Sequence, residues 1–96
     1  MRRRRYLFSY DVSDDKRRDA IFETLRDNGD HAQFSVFFCE LSPREFAALN
    51  AQLSVLVHPR EDQILVLDLG DAEAPWESGL SCLGKAFAPP SRSHIF

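Results

Sequence analysis

Two stretches of this 96-residue chain are apolar on both of their alternating faces. In residues 32–41, Ala32, Phe34, Val36 and Phe38 alternate with Gln33, Ser35, Phe37, Cys39 and Leu41. In residues 62–69, Ile64, Val66 and Asp68 alternate with Leu65, Leu67 and Leu69. Side chains of a strand point to opposite faces with a period of two, so strands of this kind need cover on both sides. The first run reads either as one long bent strand or as two strands joined by a tight turn or bulge. Residues 5–12 read as another strand, in which Tyr6, Phe8 and Tyr10 alternate with Leu7, Ser9 and Asp11.

Only two segments have helical spacing. The first is expected to begin near Ser13, with Ser13 as its cap and Asp14 and Asp15 at the positive end of its dipole. Ile21, Phe22 and Leu25 form its apolar stripe, and Asn28-Gly29 ends it, with the glycine in a left-handed cap. The second opens on Ser42-Pro43-Arg44-Glu45, a capping box with proline at the first helical position. Phe46, Leu49, Leu53 and Leu56 continue it, and Val57-His58-Pro59 stops it.

The order strand, helix, strand or strands, helix, strand predicts a small α+β sandwich. Two short helices cover one face of such a sheet. The doubly apolar strands therefore need a second cover, and another copy of the chain is the simplest one. From Gly70 onward Pro75, Gly79, Gly84, Pro89 and Pro90 break any long element, yet Trp76, Leu80, Leu83, Phe87, Ile95 and Phe96 are too apolar for a free tail. The expected organisation is a domain over residues 1–78 and a dimerisation tail over residues 79–96.

No apolar run approaches the roughly 18 residues of a membrane span, and no apolar segment follows the N-terminal arginines as in a secretory signal. Cys39 and Cys82 are too few for a disulfide framework, and Cys39 reads as a reduced core thiol. A cytoplasmic protein is expected. The net charge of −3 conceals an uneven distribution. Residues 1–18 carry seven basic and three acidic side chains, residues 19–83 three basic and twelve acidic ones. The acidic total is therefore compatible with a polyanionic partner at the N-terminal end.

Asp11 ends the first strand just before a helix. It reads as a turn or capping carboxylate, or as an oxygen ligand for a hard cation such as magnesium. One carboxylate is too few for a metal; a two-fold dimer would bring two. Lys16, Arg17 and Arg18 on the adjacent helix read as phosphate contacts or as a solvated face. Arg2 to Arg5 read as a nonspecific backbone contact or a solubility device at a frayed end. His31 reads as a surface, phosphate-binding or acid–base residue. Tyr10, Phe34 and Phe37 are core rings or base-stacking rings. There is no glycine-rich phosphate loop, no zinc-ligand spacing and no nucleophile elbow.

The run YDVSDDKRR, Tyr10 to Arg18, followed by QFSVFFCEL, Gln33 to Leu41, resembles the CRISPR-associated Cas-two (Cas2) family. The capped second helix and the segment DQILVLDLG, Asp62 to Gly70, follow in the family's order. The resemblance implies a ferredoxin-like β-α-β-β-α-β fold and a homodimer with facing sheets, the C-terminal segment packing on the partner's sheet. It implies a magnesium-dependent endonuclease acting on RNA or double-stranded DNA, with one ion per dimer held between the two Asp11 side chains. It also implies an adaptor role beside the Cas-one (Cas1) integrase in the acquisition of new spacers. Asp11 matches the family's metal-binding, catalytic aspartate, and Tyr10 precedes it as in the family's pattern. Arg18 matches a basic helix position linked to nucleic acid, and Phe37 matches the phenylalanine of the Ser-Val-Phe segment. Tyr10, Lys16, Arg17, Arg18, His31 and Phe37 are the expected nucleic-acid contacts. His31 and Ala20 stand where many members carry arginine, which implies weak cleavage. A toxin-type ribonuclease sharing the same fold is the alternative.

Overall fold

The computed structural model describes residues 2–90. Four strands and two helices follow one another as β1 (Arg4–Asp11), α1 (Asp15–Asn28), β2 (Asp30–Gln33), β3 (Val36–Leu41), α2 (Pro43–Leu56) and β4 (Gln63–Asp71). A short 3-10 turn spans Trp76–Ser78. The strands form one sheet in the order β2-β3-β1-β4, every neighbouring pair antiparallel. This is the α+β sandwich expected from the pattern of elements, in the ferredoxin-like arrangement that the resemblance implies.

The helices lie on one face. There Tyr6, Phe8 and Tyr10 of β1 and Phe37, Cys39 and Leu41 of β3 are buried together with Ile21 and Leu25 of α1 and Leu49 and Leu53 of α2. Burying a side chain the size of Phe8 or Leu25 stabilises the fold by roughly 1.5–3 kcal/mol, so this cluster dominates the core. Tyr6 and Phe46 stack with ring centroids 4.3 Å apart, tying α2 to the central strand. Burial, helped by Asp30, pushes the Cys39 thiol up to about 12. It is an inert core group.

The second helix begins as its sequence dictates. The Ser42 hydroxyl accepts from the Glu45 amide, and the Glu45 carboxylate accepts from the Ser42 amide. The first helix departs from expectation at both ends. Its cap is Asp14, not Ser13, because the Asp14 carboxylate reaches the Arg17 amide at 3.0 Å. Gly29 is extended rather than left-handed. The glycine serves close packing instead: a Cβ there would lie 2.4 Å from both the Phe38 carbonyl oxygen and the Cys39 sulfur.

Residues 32–41 resolve into two strands. Phe34 and Ser35 turn the chain between β2 and β3. The opposite face of the sheet presents Leu7 of β1 across from Phe38 of β3 and Leu67 of β4, and Ser9 of β1 across from Val36 and Leu65. Leu65 and Leu67 remain 51% and 49% exposed.

The tail covers the other half of this face. Trp76 and Phe87 meet Phe38 edge-on at 5.0 and 5.7 Å. Arg5 sets their approach. Its buried guanidinium donates to the carbonyls of Ala72 and Ala74, pairs with Glu40, and lies 3.8 Å from the Trp76 ring. Within the single chain, Trp76 and Phe87 of this segment rest on the sheet of their own chain. Ile95 and Phe96 lie outside the described residues.

Gly29→Ala should destabilise the fold by about 1–3 kcal/mol, because the new methyl meets the Phe38 carbonyl oxygen of β3 as closely as the buried Cys39 sulfur, and the backbone cannot swing aside. Urea unfolding of the two proteins measures this directly, and an unchanged midpoint would refute the close-packing role.

Candidate functional site at the end of the central strand

Asp11 is the last residue of β1 and is exposed. Its carboxylate makes no ion pair or hydrogen bond among the described residues. Three acids around it are occupied. Asp14 caps α1, Asp15 pairs with Arg18, and Asp62 pairs with Arg17 at 2.7 Å. Asp11 at the strand end and the exposed Asp19 on α1 are left available to an outside ligand.

The basic residues of α1 divide by task. Lys16 is exposed and unpaired on the first turn. Arg17 faces inward instead. It bridges Asp62, whose side chain is fully buried, and Glu61, and so ties α1 to the segment leading into β4. Asp62 also accepts from the His58 amide. Together the Arg17 guanidinium and that amide hold the Asp62 carboxyl below the usual carboxylate range. Arg18 donates to the carbonyls of Val12 and Ser13, which fixes the connection that follows Asp11.

The other expected residues scatter. His31 sits on the edge strand β2, its Nε2 2.6 Å from the Phe34 carbonyl oxygen and its ring against Phe22 and Phe37. Tyr10 and Phe37 face the helices. Phe37 is fully buried and Tyr10 nearly so, and burial pushes the Tyr10 phenol up. Both rings are core rings in this structure; neither is open to a base. Their helix-facing register explains this, since each lies on the side of its strand that carries Phe8 and Cys39.

The arginine run is not a free cationic arm. Arg2 pairs with Asp71, Arg3 with Glu45, Arg4 with Asp68 and Arg5 with Glu40. Arg4 and Arg5 are residues of β1 rather than of a frayed end. The acids of β3, α2 and β4 therefore balance much of the positive charge seen in residues 1–18. Among the described residues no three His, Cys, Asp or Glu side chains gather as a metal site needs. Asp11 brings hard oxygens suited to magnesium, but one carboxylate per chain leaves most of a coordination sphere to other donors.

The family model described as CRISPR associated protein Cas2 matches residues 4–74. The chain belongs to the Cas2 family. It is 34% identical over 90 residues to a CRISPR-associated endoribonuclease Cas2 of Geobacter sulfurreducens, covering 94% of each chain. It is 38% identical over 82 residues to a Rhodospirillum rubrum protein of the same description, covering 85% of this chain and 79% of that one. Among solved structures, a hypothetical protein from Thermus thermophilus superposes with a TM-score of 0.73 at 26% identity, covering 92% of this chain and 99% of that one. Streptococcus pyogenes Cas2 superposes with a TM-score of 0.70 at 28% identity, covering 83% and 99%.

Within this Cas2-family chain, Arg17 is a fold residue before it is a surface one. Arg17→Gln should destabilise the protein at neutral pH by stranding a buried carboxylate. The pair's contribution is present above the ordinary carboxylate pKa and is lost as pH falls through the lower folded value of Asp62. The stability gap between wild type and variant should therefore be wide at pH 7 and narrow as the pH drops below about 4. Denaturant midpoints across that range test it; a gap that widens in acid would reverse the assignment.

Proposed function

We propose that this chain works as a homodimeric nucleic-acid-binding Cas2 protein in the acquisition of new spacers. We propose further that it has a weak magnesium-dependent endonuclease activity on RNA or double-stranded DNA. The observation that carries the proposal is the exposed, unpartnered Asp11 at the end of β1, beside Asp14, Asp15 and Asp62, each of which has a partner. The name endoribonuclease carried by the relatives supports the nuclease part.

The two-copy arrangement follows from the sheet. Leu65 and Leu67 lie half exposed on the face away from the helices, and a second copy is the natural cover. Residues 79–96 would then form the dimerisation tail, exchanging contact with their own sheet for contact with the partner's. Two Asp11 carboxylates across the axis would hold one magnesium ion. Bound there, the ion would supply positive charge against a phosphate and an activated water. Lys16, on the exposed first turn of α1, would meet backbone phosphate. Arg18 and His31 would add contacts from the adjoining turn and the edge strand.

The adaptor role beside the Cas1 integrase needs the dimer and its surface rather than Asp11. Among the described residues no helix is long and apolar enough to cross a membrane, in keeping with work on cytoplasmic nucleic acid.

The wild-type protein should sediment at about twice the 11.0 kDa chain mass and cleave RNA slowly with magnesium. Chelation should abolish cleavage. Asp11→Asn should keep the dimer and lose cleavage by roughly a hundredfold or more, the loss expected when a metal's several kcal/mol of charge stabilisation goes. A monomer in sedimentation refutes the two-copy site. Cleavage that survives Asp11→Asn or chelation places the chemistry elsewhere.

A further inference from the structure

Phe34 is a large apolar side chain left 94% exposed, at the tip of the β2–β3 hairpin. Its backbone has φ of 23°, the one non-glycine residue with positive φ among those described. A phenylalanine seldom adopts that conformation, and glycine or asparagine would fit it with less strain. Neither packing nor turn geometry accounts for the ring. Strained residues of this kind tend to persist at sites of function.

The tip is held in place. The Tyr10 amide donates to the Ser35 carbonyl at 3.1 Å, and the Phe34 carbonyl oxygen lies 2.6 Å from His31 Nε2. The β1–β3 register ends at Ser9 and Val36, and the Tyr10–Ser35 hydrogen bond continues it, so the hairpin tip lies at the same end of the sheet as Asp11. Exposed Leu83 and Val55 lie elsewhere, on the tail and on α2. Among the described residues, only Phe34 combines exposure of a large apolar side chain, a strained backbone and a place at the Asp11 end of the sheet.

We infer that Phe34 is a stacking platform for an unpaired base, seating a single-stranded segment of nucleic acid so that its backbone passes Asp11. An exposed ring is sequence-tolerant in this role, since every base offers a π-face. The inference rests on the nucleic-acid reading above and adds to it a binding residue, the exposed ring at the hairpin tip that seats one unpaired base.

Binding of a short fluorescein-labelled single-stranded RNA tests this, alongside the same strand carrying abasic residues. Phe34→Ala should weaken binding of the intact strand about tenfold or more and leave the abasic strand unaffected. Phe34→Trp should bind like wild type, and its added fluorescence should be quenched by the intact strand only. Equal affinity of wild type and Phe34→Ala for the intact strand overturns the platform while leaving the nucleic-acid reading in place. A wild type that binds neither strand overturns both. If Phe34→Ala sediments as a monomer where wild type is a dimer, the ring is a contact between copies, and the platform is refuted.

Discussion

Two helices can cover only one face of a four-stranded sheet, and most of this molecule follows from that limit. On the covered face, aromatic and aliphatic side chains of β1 and β3 meet the stripes of α1 and α2 and form a dry core. On the other face, Leu7, Val36, Phe38, Leu65 and Leu67 have no helix to meet. The chain answers in part with its own tail, through Trp76 and Phe87. The half-exposed leucines of β4 mark where that answer stops. An apolar surface of this kind is costly in water, which makes association the cheaper state. In the proposed dimer this face would also decide where a shared site forms, because residues at the rim of the sheet would come close only across the axis.

Charge is the second organising force, and it works mostly inward. The four consecutive arginines look in sequence like a polyanion-binding arm, yet they face acids of β3, α2 and β4. Exposed pairs of this sort stabilise little individually. Arg5 is different. Buried beneath Trp76 and bonded to two carbonyls of the turn after β4, it converts a charged side chain into the fixed point from which the tail departs. Removing it would leave Glu40 and those carbonyls to find other partners in a low-dielectric setting. Arg17 plays the matching part at the opposite end of β1, where the fully buried Asp62 depends on it.

Local chemistry made much of this legible in advance. The capping box at Ser42 and Glu45 defines the start of α2 because both halves of it are short-range hydrogen bonds. The alternation in β1 identifies its buried face for the same reason. What escaped was long-range. Whether residues 32–41 were one strand or two depended on a turn at Phe34-Ser35 that has no glycine, proline or asparagine to announce it. Gly29 looked like a helix cap, but its need for close approach to Phe38 and Cys39 is visible only once β3 is in place. Asp11 stood out as a candidate by position alone. That Arg17 and Phe37 belong to the fold, and that Phe34 does not, depends on which way each side chain faces.

The contrast between those two phenylalanines bears on how a chain this small combines a core with a working surface. Phe37 and Phe34 are three residues apart around one turn. The first is sealed beneath α1, where its ring packs at 5.4 Å from Phe22. The second projects from the tip. Replacing the buried ring would cost several kcal/mol by leaving a cavity, whereas the exposed one touches little that folding needs. The hairpin can therefore vary at its tip without disturbing the sheet, and the sheet can hold the tip at its Asp11 end without being altered by what binds there. That separation lets one short connection carry both a packing role and an exposed contact surface.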